Sequence, residues 1–150
     1  MNFKNFNDIP QDAKNFLSYL TNIKNKSEKT VTEYYYDLRT FFRFMKCHRN
    51  LASFSDFEKV DCSDINIDFI KEIHLDDLYE YLMYTNSDRY NNANSRARKV
   101  SSLKSFFNYF ENIFRIATFN SRINHHNIVI SFTIRIYIIG IRIFFSYSIK

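Results

Sequence analysis

Apolar residues recur every three or four positions along most of the chain from Ile9 to Phe110, which is the spacing of one face of an α-helix. A first helix is predicted from Ile9 to about Lys24. Pro10 falls in its first turn, where a missing N–H costs no hydrogen bond. The apolar face of this helix comprises Ala13, Phe16, Leu17, Leu20 and Ile23. The pattern breaks at Asn25, so this helix should be short and amphipathic.

A second, longer helix is predicted to begin after Ser27 and to end near Cys47. The Ser27 hydroxyl can accept a hydrogen bond from a backbone N–H of the first turn, and Glu28 suits the positive end of the helix dipole. Seven apolar residues follow at helical spacing: Val31, Tyr34, Tyr35, Leu38, Phe41, Phe42 and Met45. The three tyrosines at 34–36 are interpreted as core and rim packing rather than as a platform for stacked bases.

The middle of the chain is less regular, and two further helices follow it. Residues 50–68 mix Ser, Asp and Phe without a period and are predicted to form a loop with one short turn. A third helix should start near Asp76 and Asp77, whose charges favour a helix N-terminus. A fourth should follow the caps offered by residues 91–95. The apolar face of the first of these helices comprises Leu75, Leu78 and Leu82, with Met83 left open as a fourth member. That of the second comprises Ala97, Val100, Leu103, Phe107 and Phe110. Four helices with short to moderate connections predict a small all-α bundle.

The composition fits one globular domain in a chain of 150 residues. Hydrophobic residues make up 45% of it, so a packed core can form, and one Gly and one Pro exclude collagen-like and propeller architectures. Cys47 and Cys62 are predicted to be reduced thiols of a cytoplasmic protein, since the N-terminus lacks an apolar signal segment. His125 and His126 have no Cys, Asp or Glu at ligand spacing, so neither a metal site nor a cofactor is expected.

The net charge of +5 is distributed in blocks. Residues 1–55 sum to +4, residues 56–88 to −8, residues 89–111 to +4 and residues 112–150 to +5. The segment 1–111 is therefore neutral as a whole, and the overall charge is weak evidence for a nucleic-acid partner. The basic cluster from Arg89 to Lys104 is better evidence, because its charges are close enough to act on one partner surface.

Three stretches carry a family resemblance, which rests on their order rather than on any single motif. The first runs from Phe16 to Phe44 and includes Ser27-Glu-Lys-Thr30 and Asp37-Leu38; the second is Ile73-His-Leu-Asp-Asp-Leu78 with Tyr81-Leu82; the third is Ser95-Arg-Ala-Arg-Lys99 with Ser101-Ser-Leu-Lys-Ser-Phe-Phe-Asn-Tyr-Phe110. Together they resemble the N-terminal core-binding domain of the tyrosine recombinases, the Xer and phage-integrase family. The resemblance covers about 100 of the 150 residues and is loosest in the acidic segment 56–68.

The resemblance implies a SAM-like helical domain over residues 1–111 that closes over one face of double-stranded DNA, opposite a catalytic domain. The residue chemistry agrees, because four cations fall within nine residues of one helix and its cap. The turn from Ser27 to Thr30 also presents hydroxyl and N–H groups at a helix N-terminus, which favours a phosphate. The predicted DNA-binding residues are Lys29, Thr30, Arg96, Arg98, Lys99 and Lys104. A full-length recombinase protomer is kept open as a second partner. The alternative is a set of basic residues that only face solvent.

Catalysis is not expected from this chain. In the family, a tyrosine hydroxyl attacks a phosphate with the help of an Arg, a Lys, a His-x-x-Arg pair and a further His or Trp on a separate C-terminal domain. No His in the chain has an Arg three positions later, so Tyr137 and Tyr147 are tyrosines without a site. The expectation is a DNA-binding module of a site-specific recombinase that does not cleave DNA by itself.

Residues 112–150 are expected to be an aberrant tail rather than a folded domain. They hold 12 Ile and no Asp or Glu, a composition that an AT-rich gene yields in the wrong reading frame, so a frameshifted or truncated recombinase is expected. The alternative is a helical bundle tethered to a membrane, because residues 128–149 have a suitable length. Arg135 and Arg142 make such insertion marginal, since each costs about 2.5–3.5 kcal/mol.

Overall fold

The structure of the chain is a computed structural model that describes residues 6–87 and 93–120. These residues form α1 (Gln11–Asn22), α2 (Glu28–His48), a 3₁₀-helix (Phe54–Lys59), α3 (Ile67–Lys71), α4 (Leu75–Ser87) and α5 (Ala93–Asn120). The described part of the chain has no strand, and the predicted all-α fold class is confirmed. The chain divides into two compact units, residues 1–103 and residues 104–150. The domain boundary predicted after residue 111 falls inside α5 and stays a prediction.

α2 is the central element of the first unit, and α1, the 3₁₀-helix and α4 all pack against it. The helix buries most of its predicted apolar face, namely Val31, Tyr35, Leu38, Phe41, Phe42 and Met45. Tyr81 of α4 meets Phe41 edge to face, with the ring centroids 5.1 Å apart. This geometry suits the opposite partial charges of a ring edge and a ring face. The periodic pattern of α2 therefore identifies the core of the unit.

α1 is shorter than predicted at both ends. Pro10 is its N-cap rather than a first-turn residue, and Ile9 before it is fully buried. The helix ends at Asn22, and the chain then turns through Asn25, which has a left-handed conformation with φ of 50°. Asparagine tolerates this conformation better than most residues. Ile23 consequently leaves the predicted apolar face and is 66% exposed.

α2 begins at the predicted Ser27 cap. Ser27 Oγ accepts a hydrogen bond from the Thr30 N–H at 3.2 Å, and the hydroxyl oxygens of these two residues lie 2.9 Å apart. The helix ends at His48, one residue beyond the predicted end, and Asn50 follows in a left-handed conformation with φ of 57°. Both ends of α2 are thus set by local sequence, through a serine cap and a tolerant asparagine.

The segment predicted to be a loop, residues 50–68, contains the 3₁₀-helix and the start of α3. Ser53 Oγ accepts a hydrogen bond from the Ser55 N–H at 3.3 Å, and Asn66 Oδ1 accepts one from the Phe69 N–H at 3.0 Å. The buried hydrophobic residues from the 3₁₀-helix to the end of α3 are Phe57, Val60, Cys62, Ile65 and Ile70. These residues show no helical spacing, because each turn or very short helix of this segment buries only one or two side chains in the core.

α4 begins where its acidic residues predict. Asp77 Oδ2 accepts a hydrogen bond from the His74 N–H at 2.6 Å, so this carboxylate closes the first turn. Leu78 and Tyr81 are buried, whereas Met83, which the pattern left open as a member of the apolar face, is exposed. The core face of α4 is therefore narrower than predicted.

α5 continues to Asn120, beyond the end of the predicted domain. Residues 121–150 lie outside the described residues, and with them the predictions for His125, His126, Tyr137, Tyr147 and the segment 128–149. No helix in the described ranges combines the length and the apolar character needed to cross a bilayer. The alternative of a membrane-tethered bundle therefore has no support from the described helices. Within those same ranges, no group of three His, Cys, Asp or Glu is arranged to hold a metal ion.

The two cysteines provide a test of how well the first unit is packed. Cys47 and Cys62 are buried free thiols; burial raises the pKa of the Cys47 thiol, and it raises the pKa of Cys62 to about 12. Because the thiolate is the reactive form, neither thiol of the full chain should react with a disulfide reagent at mildly alkaline pH until urea unfolds the protein. Thiol titration of wild type, Cys47→Ser and Cys62→Ser checks this, and rapid labelling without urea would contradict the packing.

Candidate nucleic-acid interface

The candidate interface is organised around Asp37, a fully buried acid in the middle of α2. Its carboxylate accepts hydrogen bonds from three side chains of α5: Lys99 Nζ at 3.1 Å, Arg98 Nη1 at 2.9 Å and Ser102 Oγ at 3.1 Å. The Ser102 hydroxyl also lies 2.8 Å from the Lys99 carbonyl, and its single proton serves one acceptor at a time. With Glu33, these four residues form the Asp37 cluster, which fixes the N-terminal part of α5 on α2.

Two opposing effects act on the Asp37 carboxyl. Burial raises its pKa above the ordinary value, whereas the positive charges of Lys99 and Arg98 and the hydrogen bonds from Lys99 and Ser102 lower it. Lys99 donates to Oδ1 and Arg98 to Oδ2, so both oxygens of Asp37 accept hydrogen bonds from cations, as the two oxygens of an ionised carboxylate do. The side chain of Lys99 is only 9% exposed and depends on Asp37 in turn, because an unpaired buried charge is strongly destabilising.

Arg98 lies at the outer side of the cluster and contacts the acids through one nitrogen. Its Nη1 lies 2.9 Å from Asp37 Oδ2, 2.7 Å from Glu33 Oε2 and 3.2 Å from the Glu33 carbonyl oxygen. Among the described residues, Nε and Nη2 have no hydrogen-bond partner, and 35% of the side chain is exposed. Since guanidinium groups carry donors on all three nitrogens, one edge of Arg98 remains open to a ligand.

The turn at the start of α2 holds two of the predicted DNA-binding residues. Lys29 is exposed in the first turn, and Thr30 beside it is half-buried, with its N–H already bonded to Ser27. Within the described residues, Lys29 forms no ion pair. The first turn of α2 thus combines an exposed lysine with the positive end of the helix dipole.

α5 carries the other four predicted residues, in different environments. Arg96 and Arg98 are half-buried, and Lys99 is enclosed in the Asp37 cluster. Lys104 is half-buried and belongs to the second unit. The structure therefore brings Arg98 and Lys99 together on Asp37, while phosphate binding by any of the four stays a prediction.

Other cations of α2 are neutralised inside the domain, and Arg43 is the clearest case. Its side chain is 7% exposed and donates hydrogen bonds to the Val60 carbonyl at 2.9 Å, to Glu58 Oε2 at 3.1 Å and to Asp8 Oδ2 at 3.3 Å. One guanidinium thus joins α2 to the N-terminal turn and to the segment around the 3₁₀-helix.

The last turn of α2 and its C-cap residue, Arg49, repeat this arrangement. Lys46 Nζ contacts Asp64 Oδ1 at 2.8 Å, and Arg49 Nη2 donates to the Glu72 carbonyl at 2.7 Å and lies 3.6 Å from Asp77 Oδ2. Acidic residues of the segment 56–88 therefore form ion pairs with the cations of α2 and its C-cap. The segment supplies counter-ions within the domain in addition to exposed negative charge.

The three adjacent tyrosines of α2 are distributed between core and rim, as their pattern predicted. Tyr35 is buried, stacks on Phe6 at 4.3 Å and donates a hydrogen bond to Asp8 Oδ1 at 2.6 Å. Burial is the main cause that raises the pKa of Tyr35, and the hydrogen bond to Asp8 raises this pKa further. Tyr36 is exposed, with the Arg39 guanidinium 5.0 Å from its ring centre.

Sequence reasoning missed both the Asp37 cluster and the neutralised face of α2. The second had a readable signal: Arg39, Arg43, Lys46 and Arg49 recur at intervals of four, three and three residues, just before a block with charge −8. That spacing places them on one helix face. Asp37 had a weaker signal, an acid among buried positions of the same helix, and nothing nearby in the sequence identifies its partners.

The helices and the cluster that joins α2 to α5 define a SAM-like helical module. The sequence profile of the phage integrase N-terminal SAM-like domain matches residues 13–112, and the chain belongs to this family. The family resemblance predicted from the residues is thereby confirmed. No solved structure matches the chain.

Several curated relatives are tyrosine recombinases. The chain is 44% identical over 101 residues to the tyrosine recombinase XerC of Caldanaerobacter subterraneus subsp. tengcongensis. This alignment covers 67% of the present chain and 29% of the relative. It is 32% identical over 94 residues to that of Anoxybacillus flavithermus (63% and 25%), and 33% identical over 98 residues to that of Lacticaseibacillus casei (65% and 27%). The matched part thus spans less than a third of each relative. It corresponds to the N-terminal core-binding domain and does not include a catalytic domain.

Proposed function

We propose that this chain is the DNA-binding N-terminal module of a site-specific tyrosine recombinase, which holds double-stranded DNA through phosphate contacts and does not cleave it. The observation that carries the proposal is the open edge of Arg98, whose Nε and Nη2 have no partner within the described residues while Nη1 is anchored. Arg98 lies on α5, and most of the cations described on α2 are bound to acids, so this open edge is distinctive. Membership of the phage-integrase family supports the same conclusion.

The start of α2 adds a second phosphate contact to the proposal. An anion placed there meets the Lys29 ammonium and the positive end of the helix dipole, a combination that favours phosphate. Arg96 and Lys104 would add further phosphate contacts, whereas Lys99 would act mainly by pairing with Asp37. Such contacts fix the position of a domain on DNA without reading its sequence.

The remaining parts of the proposal follow from the family. The module would act in the cytoplasm on double-stranded DNA, together with a full-length recombinase protomer that supplies catalysis. Incubation of the chain with supercoiled plasmid should therefore leave the plasmid supercoiled. Relaxation that disappears on replacement of Tyr137 or Tyr147 with Phe would overturn the non-catalytic role.

Salt dependence of DNA binding tests the proposal. The full chain is titrated against a fluorescein-labelled mixed-sequence duplex, and anisotropy is measured between about 50 and 200 mM NaCl. If about five phosphates are neutralised, log K should fall with log salt at a slope of about −4 to −5. Absence of binding, or binding that salt does not weaken, would refute the proposal. Because residues 112–150 add five cations, variants of single sites are needed to locate the contacts.

A further inference from the structure

We infer that Glu33 and Asp37 are positioning residues for DNA binding. They hold the Arg98 guanidinium by Nη1, so that its Nε and Nη2 edge is set in place for one phosphate. The inference rests on the proposed function, and it assigns a role to two acids that would otherwise oppose DNA binding by their charge.

The contact pattern of Arg98 supports a held rather than a neutralised guanidinium. The three acceptors, Asp37 Oδ2, Glu33 Oε2 and the Glu33 carbonyl, all lie at Nη1, which has two hydrogens to share among them. The Nε and Nη2 edge is the fork that binds two oxygens of a phosphate in parallel. An arginine fixed at one end loses less side-chain freedom when the other end binds its ligand.

The charges of the cluster favour the same interpretation. Asp37 is balanced by Lys99, whose Nζ lies 3.1 Å from Asp37 Oδ1. Arg98 therefore faces one unbalanced acid, Glu33, and the side chain of Glu33 is 42% exposed, so water screens its charge. The alternative is that the two acids mask Arg98 from DNA. Masking would use the same contacts, but it predicts that their removal strengthens DNA binding, whereas positioning predicts that their removal weakens it.

Arg98→Lys separates the shape of the guanidinium from its charge. The lysine keeps the positive charge and an ammonium that can pair with Asp37, but it has no second edge. We expect the melting temperature of the full chain to stay near that of wild type. Affinity for the labelled duplex should fall about tenfold, and the salt slope should lose about 0.9, the value of one phosphate. Wild-type affinity and slope in Arg98→Lys would overturn the inference.

Glu33→Gln tests the direction of the effect without disturbing a buried charge. If Glu33 positions Arg98, this variant weakens DNA binding and lowers the salt slope; if Glu33 masks Arg98, the variant strengthens binding and overturns the inference. In an Arg98→Ala background, Glu33→Gln should have no further weakening effect, because it acts through the arginine. Additive losses in the double variant would also contradict the inference.

Asp8→Asn is the matched control, because Asp8 also binds two arginines of α2 but lies outside the cluster. It should lower the melting temperature and leave the salt slope unchanged. The outcomes separate the two proposals. A wild-type chain that does not bind the duplex refutes the proposed function and the inference together. A wild-type chain that binds, with Arg98→Lys and Glu33→Gln unchanged, refutes the inference alone.

Discussion

Arg43→Met should destabilise the full chain by about 2 kcal/mol, because a buried guanidinium is lost and the Val60 carbonyl that accepted its hydrogen bond is left without that donor. The guanidinium has three partners in two other segments, and methionine fills a similar volume without donating a hydrogen bond. The Val60 carbonyl and the Asp8 carboxylate both lose a donor. Urea unfolding followed by circular dichroism measures the change.

Lys59→Met is the control for this experiment, since it removes a cation from the 3₁₀-helix segment that Arg43 contacts. The Lys59 side chain is 86% exposed, and its ammonium lies 3.8 Å from Asp56. Exposed pairs of this kind contribute little, so the loss should stay below about 0.5 kcal/mol. Equal losses in the two variants would show that the contacts of Arg43 do not stabilise the fold.

Reversing the charge of Lys29 and Lys104 together should weaken binding to duplex DNA about a hundredfold at low salt. Each substitution removes one phosphate contact and adds a repulsive carboxylate, so the salt slope should lose about 1.8. Lys29 is exposed and Lys104 half-buried, and neither has an ion pair among the described residues, so the fold should tolerate both changes. Anisotropy titrations with the labelled duplex measure the affinity and the slope, and thermal melting checks the fold.

Lys24→Glu with Lys59→Glu gives the same net charge at two exposed positions outside the proposed contacts. This control should change affinity by less than about threefold, because neither lysine is a proposed phosphate contact and salt screens the charges of exposed side chains. If both pairs of reversals weakened binding equally, DNA binding would follow total charge. The assignment of Lys29 and Lys104 would then be wrong.

The helices could be predicted where the chain buries one face of a regular element. α2 is the best example, because Ser27 marks its start and its apolar residues recur at helical spacing up to Met45. The 3₁₀-helix and α3 could not be predicted in this way. Each buries single residues, such as Phe57 and Ile70, so no period develops.

The candidate site was accessible to sequence reasoning only in part. Local chemistry indicates the turn around Lys29 and Thr30, while the family resemblance identifies the basic stretch of α5. The role of Asp37 could not be found locally, because its partner Arg98 lies 61 residues further along the chain. A charged residue in a helix is ordinarily solvent-facing, and only the tertiary structure shows that this acid is enclosed.

Part of the neutralisation of α2 depends on residues that the ribosome adds after the helix has been synthesised. The segment 1–55 has a charge of +4, and the segment 56–88, which is synthesised after it, carries −8. Since a chain emerges from its N-terminus, α1 and α2 can meet through their apolar faces before Asp64 and Asp77 exist to pair with Lys46 and Arg49. Asp37 gains its partners Arg98 and Lys99 later still, when α5 has been synthesised. Lys46 and Arg49, in the first half of the domain, therefore gain these acidic partners only after the second half has been synthesised.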